Sequence, residues 1–451
     1  MKKLFGTDGI RGRANSYPIT PELAMRVGKA TAKVLGAGSS GARRKVVLGK
    51  DTRISGYMLE NAITGGLLSM GMDVLAVGPM PTPAVAHLTR SMGAVCGIMI
   101  TASHNPAGDN GIKIFAADGF KLPDEVELEI EKHILSEEIV SEHVPGDEIG
   151  RATRIDDARG RYIEFAKGAV PGLSLQGLKI VLDCANGAAY SIAPLILREL
   201  GAEVIETAVS PNGFNINDGC GATHPENIGR LVREHRADAG IALDGDADRV
   251  IFCDADGVEV NGDRIIGMLA LDLQRAGRLA SDTVVVTGMS NLGLHRAMKQ
   301  ANIRVEVTDV GDRYVIERMR ERGFNVGGEQ SGHLIFMDYA TTGDGILSAL
   351  HVLQLMVRTG RPLAELAGFM TVFPQEIRSF PVARKVPLAE LSLLPAEIEA
   401  CRAALGESGR TIVRYSGTEN KMRILVEAEN PADVGVWLER LCAAAEKELN
   451  N

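Results

Sequence analysis

The sequence predicts an α/β protein of three related α/β domains plus a smaller C-terminal α+β domain, set around a central cleft. Three observations lead there. At 451 residues the chain is too long for one hydrophobic core, and its length suggests about three domains, with two to four acceptable. Short apolar strands alternate with amphipathic helical stretches over most of that length, the pattern of α/β domains. Three segments then repeat one theme: Lys45–Arg53, Lys179–Gly187 and Thr283–Asn291. Each is a β-branched strand running into a polar turn and a helix-like stretch. Intervals above about 100 residues point to related domains, because solenoid repeats recur every 20–50 or so.

The boundaries follow in order. The charged stretch Ser136–Asp157 carries no strand pattern and separates the first domain, residues 1–155, from the second. Asp254–Gly257 is a turn signal between two strands, and the second domain, residues 156–257, ends near it. The third covers 258–368. Gly and Pro residues around Arg358–Phe373 lead into the last unit, residues 369–451. Its expected strands are Thr411–Val413 and Met422–Val426, with a final helix from Pro431.

Composition bounds the function. Charged residues at 24% and hydrophobic residues at 45% describe an ordinary globular protein. A net charge of −9 argues against general affinity for nucleic acid or an anionic membrane, though it permits a local basic pocket. The six cysteines lie far apart without metal-site spacing, so a reduced, cytoplasmic protein is expected. The N-terminal residues lack the apolar region of a signal peptide, and no stretch approaches the roughly 20 apolar residues that span a bilayer.

Asp244-Gly-Asp-Ala-Asp-Arg249 is the most informative stretch. It follows the apolar run Ala239–Leu243, which reads as a buried strand delivering its tip into a turn. Alternate carboxylates in such a tip can converge on one hard cation, because Mg²⁺ prefers oxygen ligands and keeps positions open for phosphate. Arg249 then stands beside the metal, where a transferring phosphoryl group needs positive charge. An EF-hand loop also begins D-x-D-x-D, but it needs Gly at its sixth position and Glu at its twelfth. Here those positions are Arg249 and Ala255, and that reading fails.

Three further constellations accompany it. Thr101-Ala-Ser-His-Asn-Pro106 follows the apolar run Val95–Ile100, so Ser103 sits at a strand tip, suited to nucleophilic attack, with His104 and Lys113 near in sequence. No G-x-S-x-G elbow is present. Gly327–His333 offers Glu329, Gln330 and Ser331 on a glycine-rich segment, which suits sugar hydroxyls better than phosphate. Arg414-Tyr-Ser-Gly-Thr-Glu419, with Arg423 beyond, makes a candidate phosphate nest without being a P-loop. Together they describe phosphoryl transfer on a phosphosugar at a cleft between domains.

With these motifs in view, the chain resembles the α-D-phosphohexomutases nearly end to end. The resemblance rests on Phe5–Gly12, Thr101–Pro106, Asp109–Lys113, Asp244–Arg249, Gly328–His333 and Arg414–Glu419. It implies four domains around one cleft, with Ser103 as the phosphoserine that donates and regains the phosphoryl group. Asp244, Asp246 and Asp248, with the serine phosphate of Ser103, would hold one Mg²⁺ per active site. Glu329 and Ser331 would contact the sugar; Arg414, Ser416, Gly417, Thr418 and Arg423 would contact its distal phosphate. Arg11, His104, Lys113, Arg249 and His333 would line the reaction centre. Asn217–Glu226, Gln330 and Val310–Tyr314 resemble the glucosamine group of that family, which implies interconversion of glucosamine 6-phosphate and glucosamine 1-phosphate through glucosamine 1,6-bisphosphate, toward UDP-N-acetylglucosamine. Tyr415 and Asn420 depart from the family, where many relatives have proline. The expected partner is a phosphosugar, with no nucleic acid or membrane, in a monomer or homodimer. A phosphomannomutase/phosphoglucomutase is the alternative within the family, and a non-catalytic phosphosugar-binding protein the alternative outside it.

Overall fold

The computed structural model describes residues 4–36, 44–415 and 420–450. These residues divide into two compact units, Met1–Met289 with Ala301–Phe369, and Ser290–Gln300 with Met370–Asn451.

The first unit contains three sheets. The first sheet runs in the order Phe5–Gly6, Gly9–Arg13, Asp109–Ala116, Cys96–Ile100, Lys45–Lys50, Asp73–Pro79, Ala152–Arg154. The second is Glu259–Val260, Val250–Cys253, Ala239–Leu243, Lys179–Asp183, Glu203–Thr207. The third is Arg304–Thr308, Thr283–Thr287, Val326–Gly328, Leu334–Phe336. The three repeated strands Lys45–Lys50, Lys179–Asp183 and Thr283–Thr287 occupy equivalent places, each flanked on both sides by parallel partners. Such strands are covered on both faces, which is why they read as unbroken apolar runs rather than alternating ones.

Strand pairing changes one expectation and adds to another. Ser136–Asp157 is not strandless: Ala152–Arg154 pairs in parallel with Asp73–Pro79 and closes the first sheet. Its three side chains are exposed, so backbone pairing makes this strand and no hydrophobic pattern announces it. The second sheet also extends past the turn at Asp254–Gly257 to include Glu259–Val260.

The second unit is a three-stranded antiparallel sheet ordered Gln375–Pro381, Lys421–Ala428, Gly409–Tyr415. The helices Leu393–Leu405 and Pro431–Leu449 pack on it around Leu394, Cys401, Trp437, Leu438 and Leu441. The helix Leu292–Gln300 groups with this unit, although its sequence position falls within 258–368. Glu427 accepts the Leu292 N–H at 2.7 Å, and Asn291 exchanges hydrogen bonds with the Phe373 backbone. No helix among the described residues is long and apolar enough to cross a membrane.

Candidate active site

Ser103 lies three residues beyond the buried strand Cys96–Ile100, in a left-handed backbone conformation at φ 51°. A non-glycine residue holds that conformation when its surroundings over-determine it. Thr101 Oγ1 accepts the Ser103 N–H at 2.9 Å and donates to Asp51 at 2.7 Å. The fully buried Arg53 spends its guanidinium on the same turn, donating to the carbonyls of Ser103, Asn105, Pro106 and Asp109 and to Asp51. The outcome is a hydroxyl held at a fixed place. Ser103 Oγ donates to Asp244 Oδ2 at 2.7 Å, and His104 Nδ1 stands 3.3 Å away.

Asp244–Arg249 is the hairpin loop between Ala239–Leu243 and Val250–Cys253, which pair antiparallel from Leu243↔Val250. All three aspartates are buried, and one carboxylate oxygen from each lies within 4.8 Å of the others. Burial and the carboxylates of Asp248 and Asp246 push the Asp244 carboxyl well above the usual range. Burial would also raise Asp248, but Lys113, His333 and Arg249 outweigh it and hold that carboxyl well below the range. Thr82, at the start of the helix Thr82–Ser91, donates to Asp246 at 2.6 Å.

Lys113 is buried and reaches Asp246 at 3.0 Å, Asp248 at 3.2 Å and Asp8 at 3.0 Å. Burial alone would lower its pKa, but the three carboxylates outweigh it and keep the ammonium charged. From Asp8 the chain of alternating charge continues through Lys121, at 2.5 Å from both Asp8 and Asp312. His333 stands between Asp312, 3.4 Å away, and Asp248, 3.6 Å away. Burial would lower its pKa, but Asp248 and Asp312 outweigh it and raise the ring above its ordinary value. The Gly343 N–H donates to Nε2 at 3.1 Å, and Nδ1 faces Asp248. His104 is neutral near pH 7, since burial and then Arg249 and Arg11 bring it down to about 4.

The sugar-suited segment is partly strand. Gly327 and Gly328 belong to Val326–Gly328, and the loop proper is Glu329–His333. An isolated bridge between Arg249 and His333, with Val250 N–H donating to Gly332 at 3.0 Å, ties this loop to the carboxylate hairpin. Burial raises the Glu329 carboxyl, while Ser331 is exposed. Arg11 pairs with Asp8 through one nitrogen, while its Nε is buried without a hydrogen-bond partner among the described residues. Arg249 Nε, Asp246 Oδ1 and Asp248 Oδ1 share that condition. Unsatisfied buried oxygens of two carboxylates beside unsatisfied guanidinium nitrogens fit a hard cation and a phosphoryl group respectively.

In the second unit Arg414 and Arg423 are directly opposed on Gly409–Tyr415 and Lys421–Ala428. Like charges directly opposite destabilise a strand pair unless an anion lies between them. Ser416, Gly417 and Thr418 lie outside the described residues. The Tyr415 hydroxyl donates to the Val386 carbonyl at 2.7 Å and accepts its N–H at 3.2 Å, fixing the end of the strand.

Models of the phosphoglucomutase/phosphomannomutase family match the chain in order: α/β/α domain I at residues 2–140, domain II at 161–257, domain III at 261–373 and the C-terminal domain at 373–444. The chain is 53% identical to the phosphoglucosamine mutase of Syntrophotalea carbinolica, over 99% of this chain and 98% of that one. It is equally 53% identical to the phosphoglucosamine mutase of Pelobacter propionicus, over 100% and 99%. The chain belongs to the phosphoglucomutase/phosphomannomutase family, on its phosphoglucosamine mutase branch. The three α/β domains and the C-terminal α+β domain are thereby those of the family. Among solved structures it is similar to a phosphoglucomutase/phosphomannomutase family protein from Burkholderia thailandensis, with TM-score 0.77 and 25% identity over 98% of this chain and 97% of that one. The N-acetylphosphoglucosamine mutase of Aspergillus fumigatus has the same fold, with TM-score 0.69, 19% identity and coverage of 99% and 96%.

Sequence reasoning brought Ser103, His104, Lys113, Asp244, Asp246, Asp248, Arg249 and His333 forward, and the structure gathers them in one unit. It passed over Asp8, Arg53, Thr82 and Lys121. Asp8 had a signal, since it lies within the Phe5–Gly12 motif; Arg53 stands in a repeated strand-turn segment. Thr82 and Lys121 carried none, because their partners are 164 and 191 residues away.

Proposed function

We propose that the chain interconverts glucosamine 6-phosphate and glucosamine 1-phosphate, with Ser103 carrying the phosphoryl group and glucosamine 1,6-bisphosphate as intermediate and activator. The observation that carries this reading is Ser103 Oγ at 2.7 Å from Asp244, at the edge of a buried three-carboxylate cluster. The full-length likeness to phosphoglucosamine mutases supports the amino sugar as substrate.

In this reading the P–Oγ bond of phosphorylated Ser103 breaks as a bond forms to the oxygen of the free sugar hydroxyl, whose proton ends on Ser103 Oγ. The bisphosphate turns over and returns its other phosphate to Ser103 by the reverse step. Charged Lys113, with Arg11 and Arg249, neutralises the equatorial oxygens of the group in transit. Mg²⁺ bound by Asp244, Asp246, Asp248 and the serine phosphate would supply Lewis-acid stabilisation of those oxygens. Neutral His104 lines the centre without adding charge, and His333 lies beside Asp248 and Asp312. Glu329 and Ser331 would bind sugar hydroxyls. Arg414, Arg423, Ser416, Gly417 and Thr418 would grip the phosphate that is not reacting. Six free, buried cysteines accord with a reducing cytoplasm.

Intact-mass analysis tests this. Protein primed with a sugar 1,6-bisphosphate carrying isotopically labelled phosphates should gain one labelled phosphate on Ser103 and exchange it for unlabelled phosphate from glucosamine 6-phosphate within the turnover time. Label retained on Ser103 while product forms would overturn the carrier role. Comparable kcat/KM for glucose or mannose phosphates would move the substrate to the hexose alternative.

A further inference from the structure

The segment Asn217–Glu226 resembles the glucosamine group, which suggests a part in reading the sugar. Its position suggests another. Asn217 is buried at φ 58°, in the second α/β domain, and its side-chain Nδ2 donates to the Ser103 carbonyl at 2.9 Å and the Asn105 carbonyl at 3.0 Å. Both partners are acceptors, which fixes the orientation of the amide. These are two of the carbonyls that Arg53 holds from within the first domain. The Asn217 N–H in turn donates to the Ala185 carbonyl at 2.9 Å, and the carbonyl of Gly245 in the carboxylate hairpin accepts from Ala188 at 2.8 Å.

The packing is close. A Cβ on Gly245 would meet the Ser103 carbonyl oxygen at 2.5 Å and Asn217 Nδ2 at 2.8 Å. A side chain would also be refused at Gly221, where a Cβ would meet the Leu243 carbonyl oxygen at 2.6 Å, at the root of the same hairpin. Gly221 N–H donates to Asp183 at 2.9 Å, anchoring the segment to the tip of the repeated strand. The segment therefore lies behind the serine turn and the carboxylate hairpin, in contact with both.

We infer that Asn217 is a positioning residue: its amide clamps the serine turn of the first domain against the carboxylate hairpin of the second, and so sets the separation between Ser103 and Asp244. This rests on the reading of Ser103 as phosphoryl carrier. The clamp acts on backbone carbonyls that do not change during the reaction, so it serves both directions of phosphoryl transfer and is blind to the sugar's substituent. Its loss lets the turn drift from the hairpin, and a misplacement of about 1 Å in a reacting group costs on the order of a hundredfold in rate.

Asn217→Gly removes the amide and keeps the left-handed backbone that glycine adopts freely. The expected result is a fall in kcat of about tenfold to a hundredfold in both directions, with KM within about twofold of wild type. The ratio of kcat/KM for glucosamine 6-phosphate over glucose 6-phosphate should stay within about threefold of wild type, and the rate of Ser103 phosphorylation by a sugar 1,6-bisphosphate, followed by intact mass, should fall with kcat. Asn217→Asp, which turns a donor to two carbonyls into an acceptor, should fall further. A kcat within about twofold of wild type in either variant would overturn the clamp, as would a change above about tenfold in the substrate ratio with kcat retained. Ser103→Ala, measured alongside, separates the two readings. Turnover kept by Ser103→Ala overturns the carrier role. An inactive Ser103→Ala beside a fully active Asn217→Gly overturns the clamp alone.

Discussion

The serine turn with its carboxylate hairpin and the hairpin that carries Arg414 and Arg423 both bear charge suited to phosphate, yet they are built in opposite ways. At the first, Asp244, Asp246 and Asp248 are buried and Lys113 is buried among them. Each charge is fixed by neighbours that the fold supplies, so stabilisation of a phosphoryl group in transit needs no reorganisation. At the second, two arginines face each other across an antiparallel pair and are only half-buried. Their arrangement suits a ligand that arrives, is held and is released. Chemistry demands a preorganised, water-poor site; recognition of a phosphate that must later leave does not.

Breaking the first region should cost the most. Ser103→Ala removes the hydroxyl donated to Asp244, and turnover should fall by about four orders of magnitude or more, as expected when a covalent carrier is lost. Steady-state assay in both directions checks it, and activity within about tenfold of wild type would refute the carrier role.

Asp246→Asn keeps the shape of the hairpin but removes one charge and one hard oxygen. The rate should fall by about a hundredfold and the Mg²⁺ concentration at half-activity should rise. A metal titration with an unchanged midpoint would make Asp246 a turn residue that accepts from Thr82 and Lys113 without holding the metal.

Arg414→Ala probes the second region. Charge-assisted hydrogen bonds contribute about 1.5–3 kcal/mol each, so KM should rise about tenfold to a hundredfold while the Mg²⁺ midpoint stays put. Because the two ends of the bisphosphate exchange places, forward and reverse reactions should suffer alike, and more free bisphosphate should escape. An effect on one direction alone would separate Arg414 from a shared phosphate grip.

The smallest effect concerns the stability of the unit that carries the arginines. Burial would raise the Glu448 carboxyl, but the N–H groups of Leu394, Leu393 and Ser392 outweigh it and draw it from 4.5 to about 2. A depressed folded pKa means the contribution is complete above the unfolded value and fades as pH falls toward about 2. Glu448 is partly exposed, so Glu448→Gln should destabilise by about 1 kcal/mol or less near neutral pH. Thermal unfolding at pH 7 and again near pH 3 should show the gap between variant and wild type narrowing as the solution becomes more acid.

Legibility in the sequence followed the range of the interaction. Strand tips were readable because a buried parallel strand must be apolar and must end in a polar turn, as at Leu243–Asp244 and Ile100–Ser103. The edge strand Ala152–Arg154 was not, since its exposed side chains carry no period and backbone pairing alone makes it. The helix Leu292–Gln300 followed the expected strand, yet its grouping with the C-terminal unit depends on a carboxylate, Glu427, that lies 135 residues from Leu292.

By itself the sequence determined the kinds of groups available: a strand-tip serine, three alternating carboxylates, a sugar-suited segment and an arginine-rich turn. These are local, because each needs only a strand end and a few residues after it. The tertiary structure decided which groups meet and in what state of charge. It brought Lys113 and Asp8 to the carboxylates, put Asn217 and Arg53 behind Ser103, and raised the pKa of His333 by setting it between Asp248 and Asp312. Burial is the physical reason, since a charge or hydrogen bond removed from water takes its energy and its pKa from the neighbours the fold supplies, whatever their distance along the chain.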